Sequence, residues 1–289
     1  MPSDNLLEKV KQLREATGVG FKDCKNAIDE SNGDIEKSIE LLRKKGIAKA
    51  TKRMGRVASE GLVSIFEKDN KFSIAEINCE TDFVAKNEEF INFVEEVSEI
   101  ALLKSGNIKI VNDSEMKNKK SVSNSLIDLI SKIGEKITLR RVESLPNIKS
   151  KNFSYIHSAI KNNVGKLGVI LSLETEKKMN EINEFGKQLA MHIAATSPMA
   201  IDKDQLNQEL LSKEREIIIE ELKNSGKDPK IVDKIAIGKL NKFISDHTLL
   251  NQEWIMDPKK KVRDVLKEAG GSETIIIKKF VRFKVGEGV

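Results

Sequence analysis

The chain has 289 residues, enough for two domains of roughly 150 each, and with 39% hydrophobic and 33% charged residues it has the composition of a folded globular protein rather than a disordered or collagen-like one. Its 50 basic and 45 acidic side chains leave a net charge of +5, short of a polyanion-binding signature, and aromatics at 4% are too few for base-stacking platforms. No apolar run approaches the roughly 20 residues of a membrane span, and Met1-Pro2-Ser3-Asp4-Asn5 opens neither a signal sequence nor a transit peptide, so a cytosolic protein with no membrane contact is expected.

Residues 4–45 read as three short helices with apolar stripes of Leu6, Val10 and Leu13, then Cys24, Ala27 and Ile28, then Ile35, Ile39 and Leu42. Thr17-Gly18-Val19-Gly20 separates the first two, and Asn32-Gly33-Asp34 supplies a terminating glycine followed by an N-cap aspartate. From Arg43 to Arg56 basic residues stand without an acid, and Gly46 and Gly55 interrupt any helix, so this stretch is read as a basic, solvated linker.

From Gly61 the period changes to that of strands. Leu62 to Phe66 and Phe72 to Ile77 flank a polar turn with Asp69-Asn70, which predicts a hairpin. Asn78 to Asn87 follow, and then an amphipathic helix with Phe90, Val94, Val97 and Ala101 on one side and Glu88, Glu89, Glu95, Glu96 and Glu99 on the other. A helix ending at Ile133-Gly134 and a strand from Ile137 to Val142 lead to a second hairpin. Its strands are Phe153–His157 and Leu167–Leu173, with a turn near Asn162-Asn163, and a helix striped by Ile182, Phe185, Leu189 and Ile193 comes after it. Glu174-Thr175 follows its strand as Glu80-Thr81 follows the earlier one, so the centre reads as two weakly related strand–strand–helix halves.

Residues 205–247 read as a helical hairpin, with Leu211, Ile218 and Leu222 facing Val232, Ala236, Leu240 and Phe243. Ser225-Gly226 ends the first arm and Asp228-Pro229 opens the second, each arm being about 30 Å long. The tail predicts a short basic helix from Lys259 to Lys267, a stop at Gly270-Gly271 and a last strand from Thr274 to Val285. The whole is of α+β class. Its expected divisions are 1–45 (three-helix module), 46–56 (linker), 57–145 and 146–204 (two core subdomains), 205–248 (helical hairpin) and 249–289 (return to the core and C-terminal module).

Motifs for chemistry are sparse. Gly18-Val19-Gly20 is too short for a dinucleotide loop, and no phosphate-cradling Gly-x-x-x-x-Gly-Lys-Ser/Thr occurs. His157, His192 and His247 show no metal-protease spacing, and there is no Gly-x-Ser-x-Gly elbow. Cys24 and Cys79 are too far apart in sequence for a Cys-x-x-Cys pair and read as packed thiols. No cofactor or metal is expected.

The most informative segment is Thr81-Asp82-Phe83-Val84-Ala85-Lys86-Asn87. By local rules alone, Thr81 or Asp82 caps a helix and Phe83 begins its buried face. The segment also resembles the signature of the bacterial elongation factor Ts family, the nucleotide-exchange factors of elongation factor Tu. Leu13 to Gly20 with Asp23-Cys24-Lys25 and Asn32-Gly33-Asp34 is similar to the family's ubiquitin-associated-type N-terminal module, and Phe280 to Gly288 to its C-terminal ending. Glu80 departs from the family's frequent Gln, and Asn162-Asn163-Val164-Gly165 departs from its usual turn.

The resemblance implies exchange without covalent chemistry, so not an enzyme. The factor would bind elongation factor Tu in its GDP-bound and nucleotide-free states and loosen GDP and Mg²⁺. Asp82 would disturb the magnesium shell and Phe83 would wedge into an apolar cleft, with Thr81 and Val84 framing the wedge. Further partner contacts carry over to Lys25, Ile133, Gly134, His157, Ile255 and Met256. DNA and membranes are not expected partners, and the helical hairpin is a candidate homodimer surface. Two other readings compete: a nucleic-acid binder using the three-helix module with Lys49, Lys52 and Arg53, and a module that grips a partner without altering its ligand.

Overall fold

The computed structural model describes residues 2–53, 55–146, 149–225 and 229–289, the side chains of 2–5, 49, 229 and 230 excepted. Helices α1 (Pro2–Thr17), α2 (Phe21–Glu30) and α3 (Ile35–Arg53) enclose Val10, Leu13, Cys24, Ala27, Ile28 and Leu42. Strands β1 (Glu60–Lys68) and β2 (Lys71–Cys79) form a hairpin in full register. Its turn residues Asp69 and Asn70 sit at φ of 51° and 56°, the left-handed pair that a two-residue turn demands and that Asp and Asn tolerate.

Helices α4 (Asp82–Ala85), α5 (Glu88–Leu103), α6 (Ile108–Asp113) and α7 (Val122–Ile133) and strand β3 (Ile137–Leu145) come next. A second set follows, with β4 (Lys151–His157), β5 (Val164–Gly165), β6 (Leu167–Glu174) and α8 (Met179–Thr196). Then come α9 (Gln208–Asn224), α10 (Pro229–His247), β7 (Glu253–Trp254), β8 (Asp257–Lys261), α11 (Val262–Gly270) and β9 (Ile276–Lys284). The sheets run β3-β2-β1-β5, β4-β6-β9 and β7-β8, with every strand pair antiparallel. The fold is α+β, and no described helix is long and apolar enough to cross a membrane.

Each larger sheet carries a helix on one face. Helix α5 lays Phe90, Val94, Val97 and Ala101 on the first, and α8 lays Ile182, Leu189 and Ile193 on the second. The opposite faces meet through Val63, Ile65, Phe72, Ile74, Ile170, Val281 and Phe283. Against β4, Gly186 of α8 approaches so closely that a Cβ there would lie 2.4 Å from the Phe153 ring. Gly186→Ala is therefore expected to cost roughly 1–3 kcal/mol, despite alanine's better helix propensity. Equilibrium urea unfolding checks this, and a stabilised variant would contradict the packing.

Two expectations need correcting. The stretch expected as a linker is helical through Gly46 to Arg53. Gly46 and Ala50 continue, four residues apart, the buried stripe that Leu42 begins in the three-helix core, and α3 packs there on α7, where a Cβ on Gly46 would come within 3.2 Å of Ser131 Oγ. Close packing thus offsets the roughly 1 kcal/mol that glycine costs a helix interior. In the tail, Lys259, Lys260 and Lys261 belong to β8, paired with β7, and α11 starts only at Val262. Trp254, stacked on Phe185 and His192, anchors that small hairpin.

In the helical hairpin, Ile218 and Leu222 of α9 meet Val232 and Ala236 of α10, while Ile217 and Ile237 face outward at 60% and 56% exposure. The arm-ending Gly226 and the capping Asp228 lie outside the described residues. Among the described residues one charged group is fully buried: Glu76 in β2. Arg140 reaches it at 3.0 Å and Arg141 at 2.5 Å, and its Oε1 also accepts from Asn78 Nδ2 and from the backbone N–H of Gly286, both at 3.1 Å. This cluster fastens the chain's last residues onto the first sheet.

Candidate functional site

The Thr81–Val84 turn leaves the end of β2 and is fixed from both sides. Thr81 is extended (φ −127°) and N-caps α4, its Oγ1 accepting the Val84 N–H at 3.4 Å. After this single turn, Asn87 restarts the chain as the N-cap of α5, accepting from the N–H groups of Glu89 and Phe90. Val84 and Ala85 are buried in the first core, whereas Phe83 is 79% exposed. The local reading that Phe83 begins a buried face is thus corrected. Because the helix stops and restarts, Val84 and Ala85 take the anchoring positions and the ring points into solvent. Asp82 is half-exposed beside it, paired with Lys86 one helical turn on at 2.7 Å.

The end of α7 lies against this turn. Gly134 closes that helix in the left-handed conformation (φ 90°), donating to the Ile130 carbonyl at 2.9 Å. The next residue, Glu135, accepts from both the backbone N–H (3.0 Å) and the hydroxyl (2.7 Å) of Thr81. In return, Glu80 accepts the Lys136 N–H at 2.6 Å and pairs with Arg56 at 3.2 Å. Arg53, at the end of α3, donates to the Ile130 carbonyl. Ile133 and Gly134 therefore stand beside the Thr81–Val84 turn.

His157 makes no contact with this turn and is linked to it only through Lys166. It is exposed at the end of β4, and its carbonyl accepts from Lys166, whose ammonium pairs with Glu60 at 2.6 Å and acts electrostatically on Asp82. Lys25, exposed on α2, and Ile255 with Met256, half-exposed in the β7–β8 turn, stand outside this cluster of hydrogen bonds. Glu135 and Arg56 were not singled out in the sequence. Nothing in chain order brings an acid one residue past a helix-ending glycine onto a threonine far upstream.

The electrostatics are those of a binding surface. Lys86 holds the Asp82 carboxyl below its usual range, and the Lys136 N–H followed by Arg56 does the same for Glu80. Burial, reinforced by Glu135, pushes the Cys79 thiol up to about 12, so the sulfur is protonated and unreactive at neutral pH. Among the described residues no three His, Cys, Asp or Glu side chains gather to hold a metal. The turn can present a rigid aromatic ring flanked by a carboxylate.

The Ile255–Met256 turn is held differently. The Ile255 N–H donates to His192 Nδ1 at 3.4 Å, which leaves Nε2 to donate to Gln252 Oε1 at 3.1 Å, the pattern of a neutral imidazole. Burial lowers the His192 pKa from 6.5 to about 4. Between those values the unfolded chain takes up a proton that the folded chain refuses. This contribution is whole above pH 6.5, falls as pH drops through the window and levels off below about 4, amounting to roughly 3 kcal/mol. His192→Gln, which keeps an acceptor and a donor, is expected to flatten that part of the pH–stability profile. An unchanged slope would contradict the assignment.

Comparison with known proteins places these features in a family. The sequence model for elongation factor Ts matches residues 80–287. The chain is similar to elongation factor Ts of Clostridium kluyveri, 42% identical over 98% of this chain and 93% of the relative, and to that of Nitrobacter hamburgensis, 40% identical over 97% and 92%. A similar likeness extends to elongation factor Ts of Gluconobacter oxydans, 38% identical over 97% and 91%.

Proposed function

The chain belongs to the elongation factor Ts family, and from that premise we propose that it is a translation elongation factor that binds elongation factor Tu carrying GDP and promotes release of GDP and Mg²⁺, so that GTP can bind. It acts by binding alone, without a covalent step, in the cytoplasm. The observation that carries this reading is Phe83, an aromatic ring 79% exposed on a turn whose neighbours Val84 and Ala85 are locked in the core. A ring carried on a backbone held this way has only its own side-chain rotamers left to fix on docking.

Driving such a ring into an apolar cleft is worth about 2–3 kcal/mol, or roughly 30- to 150-fold in an equilibrium constant. That energy lowers GDP affinity only if the cleft opens in the nucleotide-free state, since a ligand shifts an equilibrium by its differential affinity alone. Asp82 supplies the second element. Its exposed pairing with Lys86 is of the kind worth under about 1 kcal/mol, so the carboxylate is free to turn toward the water shell that Mg²⁺ retains. Ile133, Gly134 and His157 would extend the contact around the wedge, with Lys25, Ile255 and Met256 as contacts further out. Ile217 and Ile237 are the residues that a homodimer through the helical hairpin would cover.

The basic stretch argues against a nucleic-acid binder. Lys44, Lys45 and Arg56 pair with Glu40, Glu30 and Glu80, and Arg43 and Arg53 donate to Asn124 and the Ile130 carbonyl, so these five cations are turned to the protein's own groups, Arg53 of the nucleic-acid reading among them. The test is reciprocity. Calorimetry should show nucleotide-free elongation factor Tu bound far more tightly than the GDP complex, by the same factor that this chain weakens GDP. Equal affinity for the two states would leave a passive binding module.

A further inference from the structure

We propose that Glu135 is the positioning residue of the exchange turn, acting on the partner only through the orientation it imposes on Thr81 and hence on Phe83; this rests on the exchange reading above. Helix α4 is a single turn, too short to hold its own shape, and the exposed Phe83 ring makes no packing contact strong enough to orient it. Its direction has to be set at the two ends of the turn. The far end is held by burial of Val84 and Ala85 and by the Asn87 cap.

At the near end one carboxylate takes both donors of one residue, the N–H of Thr81 at 3.0 Å and its hydroxyl at 2.7 Å. These two bonds fix the backbone of Thr81 and its side-chain rotamer together. The rotamer matters because the same hydroxyl oxygen receives the Val84 N–H that starts α4. The clasp is reciprocal: Glu80, one residue before Thr81, accepts the N–H of Lys136, one residue after Glu135. Each turn therefore carries the acid that pins the other. Arg56 adds a third strand to the knot, pairing with Glu80 while its own carbonyl accepts from Lys136 Nζ at 2.7 Å. The left-handed Gly134 is what turns the chain out of α7 so that Glu135 reaches Thr81.

Hydrogen bonds to a charged acceptor are among the stronger ones, and freeing the turn returns an ordering cost to the binding step. In stopped-flow release of fluorescent GDP from elongation factor Tu, Glu135→Ala is expected to lower the acceleration about tenfold. Glu135→Gln, whose amide offers an acceptor to the N–H and a donor to Oγ1, should keep most of it. In the Phe83→Ala background, Glu135→Ala should change nothing further, whereas a residue serving only the fold would multiply the loss. Amide exchange on the free protein supplies a readout independent of the partner: the Val84 N–H, held by the Thr81 hydroxyl oxygen, should lose protection in Glu135→Ala while α5 keeps its own. If Glu135→Ala does not fold, Thr81→Val, which keeps the N–H bond to Glu135 but deletes the hydroxyl bond together with the cap on Val84, should lose about threefold.

A Glu135→Ala chain with wild-type acceleration, or with unchanged exchange at the Val84 N–H, overturns this proposal alone. A wild-type chain that leaves GDP release unchanged removes the exchange reading and the positioning role with it.

Discussion

Replacing Phe83 by alanine is expected to cut the acceleration of GDP release about a hundredfold while moving the stability of the free protein by no more than about 0.5 kcal/mol. Both halves follow from one observation. The ring is 79% exposed in the free chain, so its removal opens no cavity and leaves no group unsatisfied. Its value appears only when a partner covers it, as for a central aromatic anchor whose truncation costs about 2–4 kcal/mol of binding. Asp82→Asn should act more weakly, since an exposed charge near a hydrated cation works through screened electrostatics. A Phe83→Ala protein that unfolds early, or one that still exchanges GDP at the wild-type rate, contradicts the assignment.

The second large effect is on the fold. Glu76→Ala is expected to destabilise the protein by about 2–4 kcal/mol, because Asn78 and Gly286 lose their buried acceptor and the half-buried Arg140 and Arg141 lose their counter-charge. Glu76→Gln should recover part of the loss by keeping hydrogen-bond acceptors for Asn78 and Gly286. The damage would reach the C-terminus, since Arg140 also holds the Glu287 carbonyl at 2.6 Å and Arg141 lies over the Phe283 ring. Thermal unfolding of the two variants, with proteolysis at the C-terminal end, checks it. A Glu76→Ala protein as stable as the wild type would mean that the buried carboxylate holds nothing.

How much of this was legible beforehand depended on the kind of signal each residue carries. The two hairpins and their covering helices announce themselves, because alternation in Leu62–Phe66 and Phe72–Ile77 and the 3.6 period of Phe90, Val94, Val97 and Ala101 are imposed by one buried face. The Asp69-Asn70 turn is equally local. By contrast, the second half of α3, beyond the stripe of Ile35, Ile39 and Leu42, is hidden. Its packing residues Gly46 and Ala50 are small and stand among cations, and a glycine that breaks an isolated helix is what lets this one approach α7. Lys259–Lys261 looked helical because a two-strand ribbon held by Trp254 has too few residues to show a period.

At the site, the Thr81–Asn87 motif marked the place, but local rules assigned Phe83 to a core that Val84 and Ala85 occupy instead. The clasp through Glu135 and Glu80 joins residues more than fifty positions apart and could be seen only once the fold had brought them together. Sequence thus points to the turn proposed as the wedge, and tertiary structure supplies what holds that turn.

The most direct measurement is the release rate of a fluorescent GDP analogue from elongation factor Tu, followed by stopped flow at fixed free Mg²⁺ as the concentration of this chain is raised. The rate is predicted to climb from the intrinsic value to a plateau far above it, with the climb lost in Phe83→Ala. A chain that binds the GDP complex and leaves the release rate flat across the titration would contradict exchange through the Asp82–Phe83 turn.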